Sequence, residues 1–168
     1  FGTSTITSTV RANHSNGALK FADNSTYTGG TSDAQHVNGY VSKAGNDAFT
    51  FPVGSGTDLR RVTIAAPVAN VTISTAWFAG SPATVTDPSD GTTHSLTAVT
   101  GAIEAVSPVG FWDWVNPAGS DDNVAVTVSI PDVTSFAEAG NLRLVGWNGT
   151  GWVALSSNPS ASGATENS

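Results

Sequence analysis

Leu142-Arg143-Leu144-Val145-Gly146-Trp147-Asn148-Gly149-Thr150-Gly151-Trp152-Val153-Ala154-Leu155 is the stretch that decides the fold class. Asn148-Gly149 lies between two strand-like runs. This dipeptide is a strong hairpin signal, because both central residues of a type I′ turn need φ > 0 and Asn and Gly tolerate it best. The reading is a closing hairpin with a type I′ turn at Asn148-Gly149. Residues 156–168 follow as a polar tail without a strand-like run. A sandwich normally sets another strand beside such a hairpin, so the expectation is a module completed from elsewhere, by a longer chain or by a neighbouring subunit.

Working outward, strands are expected at His36–Ser42, Ala48–Val53, Leu59–Ala66, Val71–Phe78, His94–Val99, Ala102–Val106 and Phe111–Val115. In Val71–Phe78, Val71, Ile73, Thr75 and Trp77 share one face. Val124–Ile130 alternates most cleanly, with Val124, Val126, Val128 and Ile130 facing a core and Pro131 ending the run. Ser135–Ala139 reads as one helical turn. About ten short strands with frequent turn signals imply an all-β chain, an antiparallel β-sandwich or jelly-roll-like fold. No linker divides it. Residues 1–35 form an N-terminal strand segment with short strands, 36–155 the sandwich core and 156–168 the tail.

The N-terminal segment alternates strictly. Thr3, Thr5, Thr7 and Thr9 lie on one face and Ser4, Ile6, Ser8 and Val10 on the other. Its apolar face is thin, so the strand needs a groove to enter. Thr3, Ser4, Ile6, Ser8 and Val10 are therefore the candidate assembly residues of a donor strand.

Composition narrows the function classes. The 168 residues suffice for one domain with a real core. Charged residues make up only 11% of the chain, whereas 22 Thr and 20 Ser give it a hydroxyl-rich surface. Cys and Met are both absent, so neither disulfides nor oxidisable sulfur contribute; this suits a bacterial exoprotein. A net charge of −7 without a basic stripe argues against nucleic acid and anionic membranes. No run resembles a membrane span or a leader, and a mature chain whose leader has been removed is the simplest account.

Few residues suggest chemistry. His14, His36 and His94 sit in separate segments without metal-type spacing and read as surface or turn histidines. No Gly-x-Ser-x-Gly nucleophile elbow occurs, and Glu104 and Glu138 lack a partner at recognisable spacing. No enzyme is expected. Asp87, Asp90, Asp121 and Asp122 are weak calcium candidates, since hard cations want oxygen ligands; turn formation is the stronger reading, and no cofactor is otherwise implied. Trp112, Trp114, Trp147 and Trp152 could build a sugar-stacking platform, with Trp112 and Trp114 on one strand face and Asp113 opposite. Packing of these rings in a core is the stronger reading. Arg61 is expected to fix a loop by pairing with Asp47 or Asp58.

Two blocks carry a family resemblance. One is His36-Val37-Asn38-Gly39-Tyr40-Val41, followed by Gly45-Asn46-Asp47-Ala48-Phe49-Thr50-Phe51-Pro52-Val53-Gly54 and Arg61-Val62-Thr63-Ile64-Ala65-Ala66-Pro67. The other is Phe111-Trp112-Asp113-Trp114 followed by Leu142–Leu155. Together, over residues 36–155, they resemble a β-sandwich module of large secreted, adhesin-like surface proteins of Bacteroidota, many of them type IX secretion cargo. The resemblance implies an extracellular or cell-surface location and adhesion or scaffolding rather than catalysis. In that family a further Ser/Thr-rich strand usually follows the hairpin; here the polar tail stands in its place.

The resulting expectation is a non-catalytic structural protein, a subunit or module of a fimbria-like surface fibre or adhesin. It would assemble by strand addition with copies of itself or with neighbouring modules. The alternative is a carbohydrate-binding module of a larger secreted protein, with surface glycans as partners.

Overall fold

A computed structural model of the chain describes residues 6–7, 18–133 and 135–155, and of residues 6–7 the backbone alone. The chain is all-β. Its strands in order are β1 (Ile6–Thr7), β2 (Leu19–Phe21), β3 (Val37–Asn38), β4 (Val41–Gly45), β5 (Phe49–Phe51), β6 (Gly54–Ser55), β7 (Asp58–Leu59), β8 (Val62–Ile64), β9 (Val71–Ala79), β10 (Gly110–Ala118), β11 (Val126–Val128), β12 (Val145–Trp147) and β13 (Trp152–Ala154). A single 3-10 turn, Ala139–Asn141, interrupts them among the described residues.

The strands belong to two compact units. One comprises Phe1–Phe78 with Trp112–Ser129, the other Ala79–Phe111 with Ile130–Ser168. The chain passes between the units three times, inside β9, inside β10 and after Ser129. No Gly/Pro-rich linker marks the boundary, which is why the sequence reads as one undivided domain.

The first unit holds a four-stranded sheet in the order β10-β9-β4-β2 and a three-stranded sheet in the order β11-β8-β5. β9 is a central strand. Val71, Ile73, Thr75 and Trp77 are buried as their alternation predicts, and Ser74 and Ala76 on the opposite face are buried too. β5 shows the period of two in its simplest form. Phe49 and Phe51 are buried opposite Ile64 and Val62, while the hydroxyls of Thr50 and Thr63 meet at 3.0 Å between them. Phe21, Tyr27, Phe49 and Phe51 join in a ring cluster with centroids 5.0 to 5.6 Å apart. The two buried rings, Phe49 and Phe51, each contribute roughly 1.5–3 kcal/mol relative to an exposed one, and half-buried Phe21 and Tyr27 less. The frame is sandwich-like, and no closed barrel forms among the described residues. The ladders are mostly antiparallel, but β1 pairs with β3 and β2 with β4 in parallel.

Several sequence expectations change. Val124–Ile130 narrows to Val126–Val128, because β11 is an edge strand whose valines are only half-buried. His36–Ser42 is broken at Gly39, which has φ of 155°. No strand forms over His94–Val99 or Ala102–Val106; these segments run as turns, and Val99 makes one isolated parallel bridge, to Trp152. Near the helical turn expected at Ser135–Ala139, the N–H groups of Phe136 and Ala137 close a turn on the Val133 carbonyl, and a separate 3-10 turn follows at Ala139–Asn141. Arg61 is exposed. It is Arg60 that lies buried, with its guanidinium 3.7 Å from Asp58 and over the Trp77 ring, whereas Asp47 is taken by Lys43 at 2.5 Å.

The hairpin at the centre of the sequence reading is present, with a different loop. Val145 pairs with Ala154 and Trp147 with Trp152, so four residues turn the chain instead of two. Gly149 has φ of 95°, but Asn148 is not among the residues with positive φ, which rules out type I′. The Asn148 side chain closes the loop instead, accepting hydrogen bonds from the N–H groups of Thr150 and Gly151 at 3.1 and 3.0 Å. The loop grows by two residues, so every side chain keeps its face.

Candidate functional site

Two places bring predicted residues together. The first is the edge strand β3. Ile6 pairs with Val37 and Thr7 with Asn38, in parallel register. On its other side Val37 donates its N–H to the Pro52 carbonyl at 2.7 Å and bridges to Val53. The backbone of the expected donor strand thus lies beside β3 of its own chain at Ile6. Thr3, Ser4, Ser8 and Val10 lie outside the described residues.

The second place is in the unit that carries the hairpin. The strand missing beside β13 is supplied from upstream. Trp152 donates its N–H to the Ala98 carbonyl at 2.7 Å, and its own carbonyl accepts from Thr100 N and Oγ1 at 3.1 and 2.8 Å. The expectation that the hairpin lacks a neighbour is corrected by this segment. The Trp152 indole N–H also reaches the Ser95 carbonyl at 3.0 Å. These bonds hold residues 94–100 against the hairpin and carry His94 into its aromatic face.

His94 is 1% exposed. Its ring stacks on Trp147 and stands edge-on to Trp152. The Nε2 atom lies 3.0 Å from Asp87 Oδ2 and 3.8 Å from Asp90 Oδ2. Both carboxylates are oriented by the turn that contains them. Asp87 Oδ1 accepts the Ser89 N–H at 2.8 Å, and Asp90 Oδ1 accepts the N–H and hydroxyl of Thr92, each at 2.8 Å. Asp87 N–H to Thr92 O and Gly91 N–H to Asp87 O close the same loop. Desolvation pushes the Asp90 carboxyl up, but the two Thr92 hydrogen bonds and the nearby His94 outweigh it and leave the pKa lowered.

The structure therefore treats the four calcium candidates differently. Asp87 and Asp90 are joined by a histidine that the sequence reads as a surface or turn residue. Asp121 instead accepts from the Trp114 indole at 2.6 Å and from Asn116 Nδ2 at 2.9 Å. Asp122 is exposed and caps a local turn with Ser120. His36, also read as a surface or turn residue, is buried, with Nδ1 2.8 Å from the Asp33 carbonyl; His14 lies outside the described residues. No spacing rule joins Asp87, Asp90 and His94 in sequence, because an irregular loop, not a helix or strand, converges them.

The tryptophans form no row of exposed faces. Trp77 and Trp152 are buried, and Trp112, Trp114 and Trp147 are half-buried. The Trp112 indole N–H is donated to the Arg60 carbonyl at 2.9 Å, so the polar edges of Trp112, Trp114 and Trp152 are all turned to partners within the protein. Trp112 and Trp114 do share a face of β10, but the more buried face is the opposite one. Asp113, 3% exposed, accepts there from the Tyr40 hydroxyl, and its backbone carbonyl accepts from Thr75 Oγ1 at 2.8 Å.

Comparison with protein families, curated proteins and solved structures finds no match. Among the described residues, no helix is long and apolar enough to cross a membrane.

Proposed function

We propose that the protein is a non-catalytic structural module of an extracellular bacterial surface assembly, joined to its neighbours by strand addition at β3. The pairing of β1 with β3 supports this reading. A strand remote in sequence occupies an edge through a two-residue parallel ladder. Each backbone hydrogen bond there has a net value of about 0.5–1.5 kcal/mol. An identical segment from another copy recovers the same bonds in the same register, so exchange costs little enthalpy. Because the donor and acceptor surfaces differ, the contact is heterologous and propagates as a filament when it does not close. A surface low in charge and rich in hydroxyls suits such a repeating extracellular array.

The absence of cysteine makes a direct test available. Thr7→Cys and Asn38→Cys, introduced together and bridged with a short bis-maleimide, report which chain supplies the strand. Intramolecular bridging at high dilution and a covalent ladder at high concentration are the expected result. Bridged monomer alone at every concentration overturns the proposal.

A further inference from the structure

We propose that Asp87, Asp90 and His94 form a binding site for a divalent first-row metal ion of the zinc class. The ligand atoms are Asp87 Oδ2, Asp90 Oδ2 and His94 Nε2, all within 4.8 Å of one another. Three donors held about 2.0–2.2 Å from one ion stand roughly 3–4 Å apart. The separations of 3.0 and 3.8 Å from Nε2 to the two carboxylates already fall in that span.

His94 is the observation that separates this cluster from an ordinary acidic turn. Its side chain is 2% exposed; Nε2 is 3.0 Å from Asp87 Oδ2, and the buried Nδ1 has no hydrogen-bond partner. Burying an imidazole on those terms is costly. Stacking on Trp147 sets the plane of the ring, and in that plane Nε2 faces the two carboxylates. Each carboxylate has its Oδ1 occupied by loop donors, which leaves Oδ2 as the ligand atom and supplies the outer-shell support that metal sites use. Asp90, with a side chain 41% exposed, leaves a path for the ion and for water to complete its coordination.

The donor set selects the metal class. Imidazole nitrogen beside two carboxylates suits zinc and its neighbours. Calcium wants six to eight oxygens, and this site offers two side-chain carboxylates and a nitrogen. The inference stands independently of the strand-addition reading.

Titration of the whole chain with Zn2+, followed by calorimetry and by tryptophan emission, tests it. One equivalent is expected to bind and to change the emission of Trp147, which touches the ligand ring, while Ca2+ at the same concentration does neither. Asp90→Asn, at an exposed position, and His94→Gln are each expected to weaken Zn2+ binding at least tenfold, whereas His14→Ala leaves it unchanged. A chain that takes up no Zn2+, prefers Ca2+, or binds Zn2+ equally well as Asp90→Asn overturns the proposal.

Discussion

His94 lies flat against Trp147, with ring centroids 4.5 Å apart and planes 22° from parallel. Trp147 is also the cross-strand partner of Trp152, whose ring is 5.5 Å away and steeply tilted. One half-buried indole thus joins the loop over residues 80–95 to the hairpin. Trp147→Ala removes both ring contacts. The expected loss is about 2 kcal/mol, below the 3–5 kcal/mol of a fully buried aromatic, and Trp147→Phe recovers most of it. Urea unfolding of the three chains gives the comparison.

The hairpin loop depends on a side chain rather than on positive φ at both central positions. Asn148→Ala deletes an acceptor shared by Thr150 N, Gly151 N and the Thr150 hydroxyl. It should cost about 1 kcal/mol, and Asn148→Asp, which keeps the acceptor, should cost much less. Gly149→Ala places a Cβ at φ of 95° and is expected to destabilise by about 1 kcal/mol or more. A thermal-melt series distinguishes this loop from a type I′ turn, in which Asn148→Ala acts through φ strain and Asp gives no particular rescue.

Buried Asp113 receives the Tyr40 hydroxyl, and Tyr40 itself is fully buried. Tyr40→Phe changes almost no volume and removes that donor. Its loss leaves a buried carboxyl oxygen short of a donor, and a cost of about 1–3 kcal/mol is expected from chemical denaturation. In the Asp113→Asn background the same Tyr40→Phe change should cost less, because the carboxyl acceptor is then gone.

Asp47 gives the fold an acid-sensitive element. The hydrogen bond from Lys43 Nζ lowers its pKa, burial opposes, and the Asn24 N–H adds to the lowering. A carboxyl depressed on folding contributes stability that is present above its unfolded value and lost as pH falls through the folded one. Unfolding free energy should therefore decline as pH falls through and below the ordinary carboxylate range. Asp47→Asn should flatten that decline while lowering stability at neutral pH, since it leaves the Lys43 ammonium, 2% exposed, without its counter-charge.

Local alternation determined much of this protein from sequence alone. Phe49 and Phe51 against Val62 and Ile64, the inward row of Val71, Ile73, Thr75 and Trp77, and the Trp147/Trp152 hairpin all follow from a period of two and a turn signal. That period is a property of a few adjacent residues, so it survives whatever the rest of the chain does. Tertiary structure decided who stands beside whom. The neighbour of β13 comes from Ala98–Thr100, where Thr100 Oγ1 meets a carbonyl 52 residues along the chain; His94–Val99 reads as a strand, but nothing in it names β13 as its partner. The same closure buries His94 and turns it toward Asp87 and Asp90. Such pairings are set by which long loop closes with the best packing and hydrogen bonding, and loop-closure entropy varies too slowly with length to prefer one partner over another. Strand character is therefore written residue by residue, whereas the edge that β1 fills and the carboxylates that His94 meets exist only once the chain has closed.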